Sequence, residues 1–377
     1  MTGLDDMAGI QVGDSGTTLT IKGNGALTAT GGYGSAGIGT GSVYDETVTF
    51  GDITIEGGII TANGRDSGAG IGTGYVYDGG NVSLGDITIK GGSITAKGGS
   101  NGAGIGTGRV YRGSVTLGDI IIEGGSITAN GGDEGAGIGT GYVWNGPATL
   151  GDITIKGGTV MAKAGGVGIA NGIGKGSNFN STIELGTLTI YDDIDLVEAT
   201  GSNEYEWGIG CSIVYMHGET NVTGSASDYF IINHDDFSDV IKSKKHAITL
   251  VNDGQHGTVT VVAKAMSGES VTITVTPDNG YMLDTIEVKD ANGNEVSLND
   301  MSFTMPDSNV TITVTWKLAG VKGDVNGNGT VDISDVVALV NIILNSSSDH
   351  QAEADLNNDG DIDISDVVAL VNIILGQ

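Results

Sequence analysis

The sequence contains few cysteine, proline, aromatic and basic residues. A single cysteine, Cys211, in 377 residues excludes an internal disulfide framework and a zinc site made of cysteines. No run of about 18 apolar residues occurs, so no segment qualifies as a transmembrane helix. Sixteen Lys and Arg against 46 Asp and Glu give a formal charge of −30. This charge argues against a nucleic-acid or anionic-membrane partner and favours a divalent cation.

Glycine, by contrast, is abundant, with 68 residues against three prolines. The glycines do not follow an every-third-residue pattern, which excludes a collagen triple helix. The chain is also 38% hydrophobic, which is too apolar for a disordered glycine-rich linker. The composition therefore indicates a folded protein in which glycine has a structural role.

An internal repeat accounts for the glycine. The string Gly-Asp-Ile-Thr-Ile, or a degenerate form of it, begins at residues 17, 51, 85, 118, 151 and 186, which are 33 to 35 residues apart. A second string, Ile-Thr-Ala or a degenerate form of it, follows in five of the repeats, and a third, Ala-Gly-Ile-Gly-Thr-Gly, begins first at Ala36. Such a fixed period is typical of a solenoid in which every repeat contacts only its neighbours.

The repeat predicts strands and excludes the helical repeats of similar length. Its segments alternate apolar and polar residues, are rich in β-branched side chains and are bounded by Gly-Gly pairs, which break helices. We expect three short strands per repeat, about six coils and a C-terminal cap, together forming a parallel β-solenoid over residues 1–245. Ile53, Ile55, Ile60, Ala62 and Ile71 are expected to point inward and Thr54 outward.

Equivalent positions of successive coils should form columns. One column alternates in charge, which avoids like-charge neighbours and predicts in-register stacking. Each exposed pair would contribute roughly 0.2–1 kcal/mol. The column consists of Lys22, Glu56, Lys90, Glu123 and Lys156.

Two further columns have a structural and a functional interpretation. The aromatic column is either a sugar-binding platform or a stacking ladder that orders a loop. The aspartate column either binds calcium or takes part in catalysis, or its carboxylates hydrogen-bond to the backbone of a turn. The first column contains Tyr44, Tyr77, Tyr111, Trp144 and Phe179, and the second contains Asp52, Asp86, Asp119 and Asp152.

An enzyme on this scaffold would be a polysaccharide lyase or glycoside hydrolase. Such chemistry needs an acid or base facing a substrate cleft, and a catalytic site usually interrupts a repeat. The main interruption spans residues 164–245 and is either a catalytic region or a cap on the open end of the core. Its acidic residues include Asp192, Asp193, Asp195, Glu204 and Glu206.

A small all-β domain is predicted for residues 246–318. Short β-branched runs are separated by the turn clusters 278–280 and 292–294. The stretches 276–281 and 303–312 resemble the divergent bacterial repeat domain related to internalin B-repeats. That resemblance implies a bacterial surface or secreted protein in which this module acts mostly as a spacer or an adhesive unit.

The residues from 319 to 377 contain a duplicated 12-residue loop. Oxygen-bearing side chains stand at loop positions 1, 3, 5, 9 and 12, glycine stands at position 6, and a main-chain carbonyl at position 7 adds a further oxygen. This spacing suits Ca²⁺, which takes six to eight oxygen ligands. We therefore predict two calcium ions. Their ligands are Asp324, Asn326, Asn328, Thr330, Asp332 and Asp335 in the first loop, and Asp355, Asn357, Asp359, Asp361, Asp363 and Asp366 in the second.

Position 12 is Asp rather than the Glu of an EF-hand, and one helix follows each loop. In these features the segment resembles a type I dockerin. The resemblance implies calcium-dependent docking onto a cohesin domain of a scaffold protein, with Ile333, Ser334, Ile364 and Ser365 at the positions that contact cohesin. The Ser-Thr pair familiar in that family is absent. The alternative is a calcium-stabilised stalk module that has no cohesin partner.

The sequence as a whole predicts a mainly β protein with three domains: the solenoid, the small β module and a helical dockerin-like calcium module. We expect a secreted or cell-surface bacterial protein that is non-catalytic and serves in binding or adhesion, with polysaccharide as a candidate ligand. The expected partner is a cohesin-bearing scaffold in a cellulosome-like assembly. The alternative is a polysaccharide lyase or hydrolase with its active site on the β-helix.

Overall fold

The computed structural model describes residues 1–202, 207–218, 220–221, 229–235, 238–252, 256–345 and 351–376. The chain divides into two compact units, residues 1–245 and 246–377. None of the helices in these ranges is long and apolar enough to cross a membrane.

The first unit is a stack of coils whose strands form five sheets. Sheet 1 contains Thr18–Ile21, Asp52–Ile55, Ile87–Ile89, Ile120–Ile122, Ile153–Ile155, Leu188–Tyr191, Ile213–His217 and Thr220–Asn221. Sheet 2 contains Ala26–Thr30, Ile59–Asn63, Ser93–Lys97, Ser126–Asn130, Gly158–Lys163, Ile194–Thr200, Ser238–Ser243 and Phe230–Asp235.

The other three sheets are built from shorter strands. Sheet 3 contains Ile10–Gln11, Ile38–Gly39, Ile71–Gly72, Ile105–Gly106, Ile138–Gly139 and Ile173–Gly174. Sheet 4 contains Val43–Tyr44, Val76–Tyr77, Val110–Tyr111, Val143–Trp144 and Asn178–Phe179. Sheet 5 contains Thr47–Phe50, Asn81–Leu84, Ser114–Leu117, Pro147–Leu150 and Thr182–Leu185.

The predicted parallel β-solenoid is confirmed, but the expected three strands per coil is wrong. Each full repeat contains five strands. Three of them correspond to the repeated strings, and the other two belong to sheets 4 and 5. Their strands differ in sequence from coil to coil, as in Asn81–Leu84 and Pro147–Leu150, and share only an inward apolar pattern. A comparison based on identical strings therefore overlooks them.

Isoleucine columns form the solenoid core. Ile53 pairs in register with Ile87, and Ile60 with Ile94, so that like side chains lie on top of one another. Ile53, Ile55, Ile60, Ala62 and Ile71 are all buried as predicted, with at most 1% of their surface exposed. Fully burying one such isoleucine contributes about 1.5–3 kcal/mol, and the columns repeat this gain in every coil.

Glycine is required where neighbouring backbones come closest. In sheet 3, Gly39, Gly72, Gly106 and Gly139 have φ values of +135° to +141°, a region that side chains rarely adopt. A Cβ atom built at any of the four would lie 1.7–1.8 Å from the carbonyl oxygen of the equivalent glycine in the next coil. Any other residue type at these positions would therefore suffer both an unfavourable φ and a clash with the neighbouring coil.

The aspartate column binds backbone. The Asp52 carboxylate accepts a hydrogen bond from the Asp86 N–H at 3.0 Å, and Asp86 accepts one from the Asp119 N–H at 2.8 Å. Asp119 and Asp152 continue the pattern to the following coils. The hydrogen bonds join successive coils, and this is the backbone role that the sequence analysis weighed against metal binding and catalysis.

The charged column stacks as its alternation predicts. Lys90 Nζ lies 3.6 Å from Glu56 Oε1, and Lys156 Nζ lies 3.7 Å from Glu123 Oε1. All four side chains are roughly half exposed, so each pair contributes at most about 1 kcal/mol. The pairs therefore support the register more than the stability.

The parallel stack ends in antiparallel strands. Ile194–Thr200 pairs with Ser238–Ser243, which in turn pairs with Phe230–Asp235. Phe230 is 1% exposed and packs with Ile241 against the solenoid core. These strands cover the last coil, which is the arrangement that the cap interpretation of this region requires.

A buried carboxylate fixes this end of the solenoid. Asp192 is 0% exposed; it accepts hydrogen bonds from the His217 ring and from Lys245 Nζ, and Lys245 also contacts Asp193 at 2.8 Å. Burial favours a raised pKa for Asp192, but the hydrogen bonds from Lys245 and His217 outweigh burial and lower its pKa below 3.8. Burial likewise disfavours charged Lys245, but hydrogen bonds to Asp193 and Asp192 raise its pKa above 10.5.

The second unit has a small β-sheet domain followed by three helices. Its strands are His246–Asn252, Gly257–Thr260, Lys264–Ala265, Ser270–Thr272, Thr274–Pro277, Tyr281–Asp290, Ser302–Thr304 and Val310–Leu318. Helices α1, α2 and α3 span Ile333–Asn345, Gln351–Ala354 and Ile364–Leu375. The β-strand core includes Val288, Phe303 and Ile312, whereas Leu339 of α1 and Leu370 of α3 belong to a separate small core.

The glycine column gives a stability prediction. Gly106→Ala places a Cβ atom 1.8 Å from the Gly139 carbonyl oxygen at a φ of +136°. We expect the free energy of unfolding of the solenoid to fall by on the order of 3 kcal/mol, measured by denaturant unfolding. The control is Gly91→Ala, where the nearest atom would be 3.8 Å away and φ is not positive. Equal effects of the two substitutions would contradict the argument.

The cap gives a pH prediction. A carboxylate whose folded-state pKa is depressed stabilises the protein above its unfolded pKa and loses this effect as pH falls through the folded value. Asp192→Asn should therefore lower the solenoid's stability by about 3 kcal/mol near pH 7, and the difference from the wild type should shrink below pH 3.8. The Lys245 contribution should persist to pH 10.5 and decline above it. Thermal melts across the pH range measure both, and a difference that stays constant down to pH 2 would disprove the Asp192 assignment.

Candidate calcium loops and aromatic face

Both helices of the duplicated segment begin at the end of an acidic loop. Asp363 is the N-cap of α3, and its side chain accepts a hydrogen bond from the Ser365 N–H. Asp366 completes the capping box, and Gly376 ends the helix in the left-handed conformation with a φ of +69°. In the first copy, Asp332 likewise accepts from the Ser334 N–H at 2.7 Å. The short polar residues at loop positions 9 and 12 thus start each helix.

In the first loop, the carboxylates at both ends hold the turn. Asp324 accepts hydrogen bonds from the N–H groups of Asn328 and Gly329, at 3.0 and 2.7 Å. Asp335 is fully buried and accepts from the N–H groups of Asn326 and Asp332, both at 2.9 Å. Positions 1 and 12 therefore face into the loop from opposite ends.

The second loop repeats this arrangement with one difference. Asp366 is fully buried and accepts from the N–H groups of Leu356 and Asp363, at 2.7 and 3.0 Å. Asp355 accepts from the Gly360 N–H at 3.0 Å through Oδ2, while its Oδ1 atom is buried and has no hydrogen-bond partner within the part of the chain that the structure describes. A buried carboxylate oxygen without a donor is costly, and a cation is the partner that satisfies it.

The remaining predicted ligands lie along the same two turns. Asn326 and Asn328 occupy the first loop, where Asn328 Oδ1 accepts from the Thr330 N–H at 2.9 Å. Asn357 and Asp359 occupy the matching places in the second, where Asp359 Oδ1 accepts from the Asp361 N–H at 2.9 Å.

Across the described ranges, no three Asp, Glu, His or Cys side chains are grouped as a metal site made of those residue types alone. The predicted ligand sets contain three Asp carboxylates in the first loop and four in the second, together with amide side chains and main-chain carbonyls. By residue type each set suits a hard cation, but in the described residues the carboxylates alone are not gathered into a metal site.

Two loop carboxylates have a depressed pKa. The Ser334 hydroxyl and N–H lower the pKa of Asp332, and the Ser365 hydroxyl and N–H lower that of Asp363. Both aspartates therefore stay ionised at a lower pH than an ordinary aspartate. The predicted partner-contacting serines are thus engaged within the loops, because each hydroxyl also accepts from the amide of Asn326 or Asn357 at 2.7 Å.

The predicted partner-contacting isoleucines are exposed. Ile333 and Ile364, each the first residue of its helix, are 69% and 70% exposed. Val337 and Val368, one turn further along, are 59% and 56% exposed. Two equivalent apolar patches therefore lie on α1 and α3, and burial of such surface is what a protein partner would gain.

The aromatic column forms a continuous ladder. Tyr77 stacks between Tyr44 and Tyr111 with 5.3 Å between ring centroids on either side and interplanar angles of 24° and 13°. Trp144 meets Tyr111 edge-on at 77° and Phe179 at 74°. Both faces of Tyr77 are therefore occupied by neighbouring rings, and a sugar can reach this part of the ladder only at ring edges.

A second column beside the ladder was missed by the sequence analysis. Tyr75, Arg109 and Tyr142 occupy equivalent positions in three coils, two residues before the aromatic column and on the same face of the strands. The Arg109 Cζ atom lies 5.5 Å from the Tyr75 ring centroid and 5.4 Å from that of Tyr142. The available signal was the alternation of side chains along a strand, which places residues two apart on one side.

The acidic residues proposed for catalysis differ in burial where the structure describes them. Asp192 is buried within the cap, while Asp193 and Asp195 are exposed. Glu204 and Glu206 lie outside the described residues. Asp192 and Asp193 are joined through Lys245.

Three protein-family models match parts of the chain. Residues 19–42, 53–75, 87–109 and 120–142 match the beta helix repeat, residues 247–320 the divergent InlB B-repeat domain, and residues 322–375 the dockerin type I domain. No curated protein and no solved structure matches the chain. A dockerin implies a cohesin partner and calcium-dependent assembly, and proteins that contain one are typically extracellular. The chain thus joins a β-solenoid of beta helix repeats to a divergent InlB B-repeat segment and a dockerin type I segment.

Proposed function

We propose that this chain is a secreted or cell-surface bacterial binding protein without catalytic activity, attached to a cohesin-bearing scaffold by its C-terminal segment. The observation that carries the proposal is the duplicated loop and helix at residues 322–375, which matches a dockerin and exposes an apolar patch in each copy. In this arrangement, the solenoid presents a ligand-binding surface and the tail provides attachment.

The tail binds two calcium ions in this proposal, one in each 12-residue loop. The unpartnered Oδ1 atom of Asp355 supports the second site directly. The first site is supported by its matching hydrogen-bond pattern, in which Asp324 and Asp335 take the places of Asp355 and Asp366. Bound calcium would link the ends of each loop and so couple metal binding to helix formation.

The cohesin surface consists of the first turns of α1 and α3. Residues 332–344 and 363–375 are identical in sequence, so either copy offers the same exposed residues to a partner. The proposal therefore includes docking in either of two orientations.

The three-part organisation assigns one task to each part. Residues 1–245 form the ligand-binding solenoid, residues 246–318 act as a spacer or adhesive module, and residues 319–377 form the attachment module. The alternative is a polysaccharide lyase or hydrolase. The non-catalytic function is better supported because Asp52, Asp86, Asp119 and Asp152 bind backbone amides and Asp192 is buried in the cap.

The two loops should differ in calcium affinity. Side-chain carboxylates occupy three of the predicted ligand positions in the first loop (Asp324, Asp332 and Asp335), and the second loop has a fourth because Asp359 replaces Asn328. More carboxylates bind calcium more tightly. Calorimetry on the full chain should therefore resolve two events that differ about tenfold in Kd, or about 1.4 kcal/mol. Chelation should also abolish the helical circular dichroism signal of the tail.

A reciprocal pair of variants provides the control. Asp359→Asn should weaken the tighter event about tenfold, and Asn328→Asp should strengthen the weaker one by a similar factor. Two events of equal affinity in the wild type would contradict the charge argument.

Docking should survive the loss of either apolar patch and fail when both are lost. Ile333→Asp or Ile364→Asp alone should change the affinity for a cohesin only about twofold, since the other copy remains available. The double variant should bind at least about 100-fold more weakly, because a charge in each patch prevents burial. Surface plasmon resonance against a panel of cohesin domains, with calcium and with chelator, measures both.

The control for these variants is Val262→Asp, which places the same charge at a residue that is 56% exposed in the β module. It should leave cohesin binding unchanged. If the wild type binds no cohesin in the panel in calcium, the attachment proposal fails and the tail is a stalk module.

A further inference from the structure

Arg109 lies within a cluster of aromatic rings on the solenoid surface. Besides Tyr75 and Tyr142 in its own column, its Cζ atom is 5.4 Å from the Tyr111 ring centroid and 6.0 Å from that of Trp144. Tyr75 belongs to the preceding coil and Tyr142 to the following one, so the guanidinium is held between two rings. Cation–π attraction to four rings fixes its position.

The guanidinium donors of Arg109 have no protein acceptor among the described residues, although its main-chain N–H donates to the Ser67 carbonyl oxygen. Its Nε atom is buried without a partner, and no carboxylate there lies within ion-pair distance of its guanidinium. Arg112, the other arginine of this face, stacks on Tyr111 at 5.1 Å and has Asp78 at 4.0 Å. Arg109 therefore has unmet capacity for an anion.

The surrounding tyrosines add donors. Burial raises the pKa of Tyr75 to about 12 and also raises that of Tyr142, so both phenols stay protonated at neutral pH and can donate hydrogen bonds. Asp66 and Glu134 act on these tyrosines from neighbouring loops but are not paired with Arg109. The guanidinium edge is thus the point of this face where negative charge is favoured.

The shape of the site restricts the chemical class of the ligand. Rings cover the guanidinium from the coil on either side, so a ligand can approach only its edge. A planar carboxylate meets such an edge with two parallel hydrogen bonds. The negative field of the whole chain disfavours polymers with dense charge, such as nucleic acids. A sugar polymer whose carboxylates are separated by neutral rings satisfies both conditions.

We propose that Arg109 is the anchor for the carboxylate of a uronic acid in an acidic polysaccharide, with the adjoining tyrosine hydroxyls contacting neighbouring sugar oxygens. This inference rests on the proposed function, in which the solenoid is the ligand-binding part, and specifies its ligand. The aromatic column that the sequence singled out then holds Arg109 in place and does not serve as a stacking platform for sugars.

The test uses the full chain in calcium and three short probes. They are a galactose trimer in which one ring is galacturonic acid (the galacturonic acid trimer), the matching neutral galactose trimer, and a galactose trimer that carries one sulfate. Titration calorimetry should detect binding of the galacturonic acid trimer, with at least tenfold weaker binding of the other two. Arg109→Gln should weaken binding of the galacturonic acid trimer about tenfold or more. Arg109→Lys should recover only part of the loss, since an ammonium cannot make the two parallel bonds.

Arg112→Gln is the matched control, because it removes an arginine of the same face that already has a carboxylate neighbour. It should change the affinity less than about twofold. An unchanged thermal melt and unchanged cohesin binding establish that each variant is folded and that attachment is intact, which separates failure of this inference from failure of the proposed function. The uronate assignment is overturned if the acidic trimer does not bind, if the neutral or sulfated trimer binds as tightly, or if Arg109→Gln binds like the wild type.

Discussion

The hydrogen bonds between successive coils are the constraint on which the solenoid depends. Because the strands of the repeats pair in parallel with their equivalents in the next coil, most inward-facing residues lie over residues of the same type. Isoleucine columns then fill the interior, and the Gly39–Gly72–Gly106–Gly139 column permits the close approach at the corner. A residue that suits one coil must therefore also suit its two neighbours.

Most of the polar columns serve this stacking. The aspartate column accepts N–H groups of the next coil, and the buried hydroxyls of Thr40, Thr73, Thr107 and Thr140 do the same for glycine N–H groups. Recognition is more readily built where the repeat departs from itself. Arg109 is such a departure, since tyrosines occupy the equivalent positions in the coils before and after it.

In the C-terminal segment, aspartate carboxylates also accept backbone N–H groups, but here they shape a loop rather than join coils. Its aspartates draw the backbone of a 12-residue turn inward, as Asp335 and Asp366 do at position 12, and the unpartnered Asp355 oxygen leaves room for a cation. The apolar surface of α1 and α3 is divided between a small core around Leu339 and Leu370 and exposed residues at the helix starts. Metal-dependent order and partner docking would thus depend on each other.

The sequence by itself determined the features that are encoded in every repeat. The parallel solenoid, its inward isoleucines, the charge pairing of Lys90 with Glu56 and the duplicated loop–helix tail all follow from spacing and alternation, which are local properties. Only the tertiary structure decided how many strands form a coil, that the Asp52 column binds backbone amides, and that Arg109 lies between Tyr75 and Tyr142. These depend on the direction of side chains across coils some 33 residues apart, where the strands of sheets 4 and 5 share a pattern but no common string.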